Sequence, residues 1–126
     1  MYMHSRIESL RITCYNRGMI TIDDFSKVEI KIGTVLSATK IPEGDRLLKL
    51  IFDFGDEQRQ IMSAIAPFYP DPTVLIGKQI AVCTNLEPKK FKGYESQGMI
   101  MAMDSLNGGI VLLSPEEQVP PGTKIH

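Results

Sequence analysis

The sequence predicts an all-β domain: a five-stranded Greek-key barrel with a short helical crossover and extra strands at its C-terminal side. Three observations carry that expectation. Apolar residues recur with a period of two in several short runs, prolines interrupt the middle of the chain, and Asn107-Gly108-Gly109 marks a late tight turn. A length of 126 residues suits one domain. With 43% hydrophobic and 23% charged residues, the chain has material for a core and no signature of global disorder.

Residues Met1 to Gly18 are polar and aperiodic and read as an N-terminal arm or an over-extended translation start, which places the domain at 19–126. After Asp23-Asp24-Phe25-Ser26, the residues Val28, Ile30 and Ile32 alternate with Lys27, Glu29 and Lys31, the pattern of a half-buried strand. Gly33 interrupts that run without ending it, as Thr34, Val35 and Leu36 continue, and marks the bend that curls a sheet. Pro42-Glu43-Gly44-Asp45 is a turn cluster, after which Leu48, Leu50, Phe52 and Phe54 share the buried face of a second strand. Gly55-Asp56-Glu57 turns the chain into a third strand over Gln58 to Ile65.

From Ala66 to Gly77, Pro67, Pro70 and Pro72 leave room only for helical turns and ordered loop, the crossover between barrel halves. Gln79 to Thr84 and Met99 to Met103 supply two further strands, and Ile110 to Leu113 follows the tight turn. Met99, Met101 and Met103 alternate and read as adaptable core filling, with Met99 alone facing the preceding loop. Five short strands around an irregular crossover fit a barrel of the oligonucleotide/oligosaccharide-binding type, the OB-fold.

Composition removes several function classes. A formal net charge of −1 is wrong for a protein that coats nucleic acid indiscriminately, so nucleic-acid binding has to come from a local patch. No run approaches the roughly 20 apolar residues of a spanning helix, so no membrane contact is expected. Cys14 and Cys83 lie far apart without paired spacing, and no signal peptide opens the chain, which points to the reducing cytoplasm. His4 and His126 lie at opposite ends, so no metal and no cofactor is expected. Ile76-Gly77-Lys78 lacks the flanking residues of a phosphate-binding loop, and the carboxylate pairs Asp23-Asp24 and Asp56-Glu57 lie on turns without a positioned partner. No catalytic residues are predicted and the chain reads as a non-enzyme.

The informative segment is Asn85-Leu86-Glu87-Pro88-Lys89-Lys90-Phe91-Lys92-Gly93-Tyr94-Glu95-Ser96-Gln97-Gly98-Met99, a basic loop with two aromatics between the last two core strands. Lys89, Lys90 and Lys92 can neutralise phosphates, with Arg46 and Lys49 from the second strand. Phe91 and Tyr94 offer faces to unstacked bases, although Phe91 better suits a plug for the barrel end, and Ser96 and Asn85 can bond sugar, phosphate or base edges. In this barrel class the loop joining strands four and five commonly borders the ligand.

The run Ile22-Asp23-Asp24-Phe25-Ser26-Lys27-Val28-Glu29-Ile30-Lys31-Ile32-Gly33 resembles the opening of the tRNA-binding domain found at the C-terminus of many methionyl-tRNA synthetases, in stand-alone bacterial tRNA-binding proteins and in the endothelial monocyte-activating polypeptide II group. Asp45-Arg46-Leu47-Leu48-Lys49-Leu50, Arg59-Gln60-Ile61 with Ser63-Ala64-Ile65-Ala66, and Asn85-Leu86 through Gly98-Met99 resemble that family's later blocks in order, from Met19 to His126. Ala64 departs from a common glycine and Lys31 from a frequent arginine.

The resemblance implies recognition of folded tRNA by shape, with Lys92 and Ser96 at the signature positions and Asn85, Lys90 and Met99 at neighbouring ones. It also implies a homodimer, and a partnership in trans with methionyl-tRNA synthetase. The ending, Val111-Leu112-Leu113 and Gly122-Thr123-Lys124-Ile125, is similar to that of a small dimeric class credited with export-chaperone activity, so binding of unfolded polypeptide is the alternative.

Overall fold

The period-two runs become strands wherever one face can be buried. The computed structural model describes residues 18–126, and the expected arm, with His4 and Cys14, lies outside the described residues apart from Gly18. Nine strands follow one another: β1 (Ile30–Ile41), β2 (Gly44–Asp53), β3 (Gln58–Ser63), β4 (Gln79–Cys83), β5 (Lys89–Phe91), β6 (Tyr94–Ser96), β7 (Met99–Ile100), β8 (Ala102–Asp104) and β9 (Ile110–Leu112). Five of them form one antiparallel sheet in the order β3-β2-β1-β4-β7, while β5–β6 and β8–β9 are separate two-stranded ribbons. The single-turn helix α1 (Ile22–Phe25), capped by the Thr21 side chain accepting from the Asp24 amide, is the α-helix among the described residues. The chain is all-β, as its patterning predicts.

Strand β1 organises the sheet. Residues Ile30 to Thr34 pair with β4 and Thr34 to Ile41 with β2, with a register break between Val35 and Ser37. A bulge there adds twist and lets one strand serve both halves. A Cβ on Gly33 would come within 2.8 Å of the rings of Phe52 and Phe54, so the bend needs glycine at this point. Beneath it, Val35, Leu48, Leu50, Phe52, Ile61, Leu75, Ile80 and Val82 are fully buried. The proline-rich crossover forms two 3₁₀ turns, Ala66–Phe68 and Pro72–Leu75, and the second delivers Leu75 to the core.

The predicted barrel is not closed by strand pairing. The sheet curls but does not close through a continuous ladder, because β7 has only two residues and both pair with β4. Between β3 and the β6–β7 segment the joint is instead a polar seam. The Gln97 amide donates to the Gln60 carbonyl (2.8 Å), and the Gln60 amide donates to the Gln97 side-chain oxygen (3.0 Å). The Met62 amide donates to Ser96 Oγ (3.0 Å), and Arg59 Nη1 reaches the carbonyls of Thr84 and Gln97. Side chains thus satisfy the donors that a longer strand would have met.

The C-terminal tail folds back on the free side of the start of β1. The Gly122 amide donates to the Ile32 carbonyl, the Ile32 amide to Thr123 and the Ile125 amide to Ile30, while the buried Gln79 side chain donates to the Val119 carbonyl and accepts from the Val119 amide. One expectation is corrected. In the Met99 to Met103 stretch the buried residue is Ile100, whereas Met99 and Met103 are about half exposed. The stretch enters the sheet with the opposite parity, and a one-residue change of parity exchanges the two faces.

Candidate nucleic-acid interface

The basic segment is not an open loop. Lys89 to Ser96 folds into the β5–β6 hairpin, with Lys89 opposite Ser96, Lys90 opposite Glu95 and Phe91 opposite Tyr94. Two residues, Lys92 and Gly93, make the turn, at φ 53° and 87°. Positive φ at both central positions matches the right-handed twist of a hairpin. Glycine accepts it without strain, while Lys92 is the one non-glycine residue with positive φ among the described residues. The lysine is held at the tip with its side chain exposed.

The hairpin leans on the turn between β1 and β2. The Tyr94 hydroxyl donates to the Glu43 carboxylate (3.0 Å), Lys49 Nζ lies 5.7 Å from the Tyr94 ring centre, and a Cβ on Gly44 would lie 3.4 Å from Lys92 Cγ. The Glu43 bond holds the Tyr94 phenol above its ordinary range. Lys49 therefore meets the Tyr94 ring from β2, Lys92 packs beside Gly44 at the start of the same strand, and exposed Arg46 lies between them in sequence on β2. Within β5, Lys89 Nζ lies 5.5 Å from the Phe91 ring centre, and Lys90, on the other face of the ribbon, is exposed opposite Glu95. The salt bridges among the described residues are Lys27–Asp24, Lys31–Glu29 and Arg59–Glu57; Arg46, Lys49, Lys89, Lys90 and Lys92 take part in none of these.

Asn85 and Ser96 are placed differently from the lysines. The Asn85 side chain accepts from the Glu29 amide (2.8 Å) and donates to the Lys27 carbonyl, tying the chain before β1 to the end of β4. Ser96 is buried, its hydroxyl accepting from Met62 and donating to the Gly98 carbonyl (3.0 Å). Both polar groups are occupied within the protein. Arg59, Gln60 and Gln97, which sequence reasoning did not single out, carry the seam beneath the hairpin, and only the curl of the sheet reveals their pairing. Glu29 accepts from the Thr84 hydroxyl (2.6 Å), and that bond holds its carboxyl below the usual range, with Lys31 adding to the effect.

Under the hairpin lies a cleft of about 330 Å³, lined by Met62, Ser63, Leu86, Glu87, Lys89, Phe91, Ser96, Gly98, Met99 and Ile100. Met99 thus borders the hairpin, and so does Met62. Among the described residues no group of three or more His, Cys, Asp or Glu is placed to hold a metal, and no helix is long and apolar enough to cross a membrane.

Residues 30–124 match the family described as "Putative tRNA binding domain". The methionine–tRNA ligase of Archaeoglobus fulgidus is 52% identical over 106 residues, which is 84% of this chain and 16% of that protein. The chain therefore spans about a sixth of the length of the curated relatives it matches. A methionyl-tRNA synthetase-related protein from Pyrococcus horikoshii superposes with a TM-score of 0.78 at 41% identity, covering 86% of this chain and 98% of that one. The chaperone CsaA from Bacillus anthracis superposes with a TM-score of 0.76 at 34% identity, covering 86% of this chain and all of that one.

Proposed function

The chain belongs to the tRNA-binding domain family, and from that premise we propose that it binds folded tRNA by shape and catalyses no reaction on it. The observation that carries the proposal is the group of five cations, Arg46, Lys49, Lys89, Lys90 and Lys92, presented by two apposed hairpins and free of the salt bridges found elsewhere in the described chain. Cations not neutralised by those carboxylates are available to phosphates, and hairpins packed on each other hold them at a set spacing, which favours a folded ligand over a flexible strand. Lys90 and Lys92 make the leading phosphate contacts, and Met99 offers an apolar contact beside them. Ser96 and Asn85 act by positioning: the first fixes the base of the hairpin and the second the strand beneath it.

The protein works in the cytoplasm as an OB-fold homodimer, without metal or cofactor, either alone or in trans to methionyl-tRNA synthetase. Filter retention across a salt series tests the binding. With roughly four phosphates engaged, the logarithm of affinity falls against the logarithm of salt with a slope of about −3 to −4. A Lys90→Gln, Lys92→Gln double variant lowers that slope by about 2 and loses preference for folded tRNA over unfolded RNA of equal length. A flat salt response, or equal binding of both RNAs by the unaltered chain, rejects the proposal. The likeness to a chaperone favours a second reading, binding of unfolded polypeptide. Peptide binding that survives the double variant while tRNA binding is absent from both proteins supports it.

A further inference from the structure

We infer that the cleft beneath the β5–β6 hairpin captures one unstacked nucleobase of the bound RNA, an amino-bearing base in preference to uracil; this rests on the tRNA-binding reading. Its volume, about 330 Å³, lies at the small end of the roughly 300–1,000 Å³ of ligand clefts and suits one flat ring system. Phe91, Leu86 and Met99 supply apolar walls, and Leu86 and Met99 are each about half exposed in the free protein. Apolar side chains left wet around a concavity gain most when a flat hydrophobic surface covers them.

Charge selects the occupant. Lys89 lines the cleft and lies over the Phe91 ring, so a ligand seated there meets a cation at the rim. A base with its phosphates attached satisfies both wall and rim. Glu87 also lines the cleft and has neither a salt bridge nor a side-chain hydrogen bond among the described residues. Beside a polyanion a carboxylate is repulsive unless it accepts from N–H groups. Adenine, cytosine and guanine present an exocyclic amine on their open edge, whereas uracil presents one N–H between two carbonyl acceptors. Recognition of overall shape alone would give this cleft no role.

An abasic scan through the unpaired positions of one tRNA transcript, bound to the full chain, tests the inference. Removing the captured base weakens binding about ten- to a hundredfold, the range of base–aromatic stacking, and uridine at that position recovers only part of the loss. Phe91→Leu, which keeps apolar bulk without a π face, and Met99→Gln, on the rim, each weaken binding of the intact transcript and become insensitive to the same abasic position. Uniform binding of every abasic transcript at full affinity overturns base capture and leaves the tRNA reading standing. An abasic loss that persists unchanged in both variants places the captured base elsewhere and also overturns it. No binding of the intact transcript removes both readings, and binding of an unfolded polypeptide in its place, weakened by Phe91→Leu, assigns the cleft to peptide.

Discussion

Lys92 adopts a left-handed conformation that lysine does not favour, at the tip of the hairpin that carries the proposed site. Placing a residue with a Cβ there costs roughly 1–2 kcal/mol, a cost that glycine avoids. Lys92→Gly is therefore expected to raise stability in denaturant titration by up to about 1 kcal/mol while weakening tRNA binding, so that the two properties separate. Ser96→Ala does the reverse. It strands the buried Met62 amide, and about 1–3 kcal/mol of stability is lost in the same titration, with no cation removed. Glu29 gives a pH signature. Its carboxyl is held low by the Thr84 hydroxyl, and a depressed folded pKa adds stability that is complete above the unfolded pKa and lost as the pH falls through the folded value. The denaturation midpoint of Thr84→Val should lie furthest below that of the unaltered protein near neutral pH, with the gap narrowing below about pH 4.

The elements divide into those whose sequence announces them and those that depend on tertiary placement. Leu48, Leu50, Phe52 and Phe54 alternate cleanly and line the core, and Asn107-Gly108-Gly109 connects β8 to β9 as its turn chemistry requires. The strongest local patterns became the most regular elements. The β5–β6 hairpin was legible as a basic segment and not as a ribbon, because three-residue strands are too short for a period to register. Lys49 could be suspected from charge, but its meeting with Tyr94 depends on how two hairpins pack. The inward commitment of Asn85 and Ser96 was equally hidden, since their partners lie 56 and 34 residues away. The tail is a further tertiary element. A Cβ on Gly122, where φ is 90°, would lie 2.1 Å from the Phe54 carbonyl oxygen. Gly122→Ala should release the tail and expose the amides of Ile32 and Ile125 to rapid hydrogen exchange, while the β2–β3 amides keep their protection.

At the scale of the molecule, a net charge of −1 coexists with five cations on two neighbouring hairpins, so the proposed attraction to RNA comes from a local cluster and not from the overall charge. Strand β1 runs from the C-terminal tail to the turn on which the basic hairpin leans. Ile30, at one end, holds Ile125 by a backbone hydrogen bond, and Ile41, at the other, runs into the turn that bears Glu43. The twelve residues from Ile30 to Ile41 make about 35 Å of extended backbone. The tail leaves beside the first residue of β1 while the Lys92 turn packs near Gly44 at the last, so the exit of the chain and the tip of the basic hairpin lie at opposite ends of one strand, and cargo hung from the tail would leave that tip open.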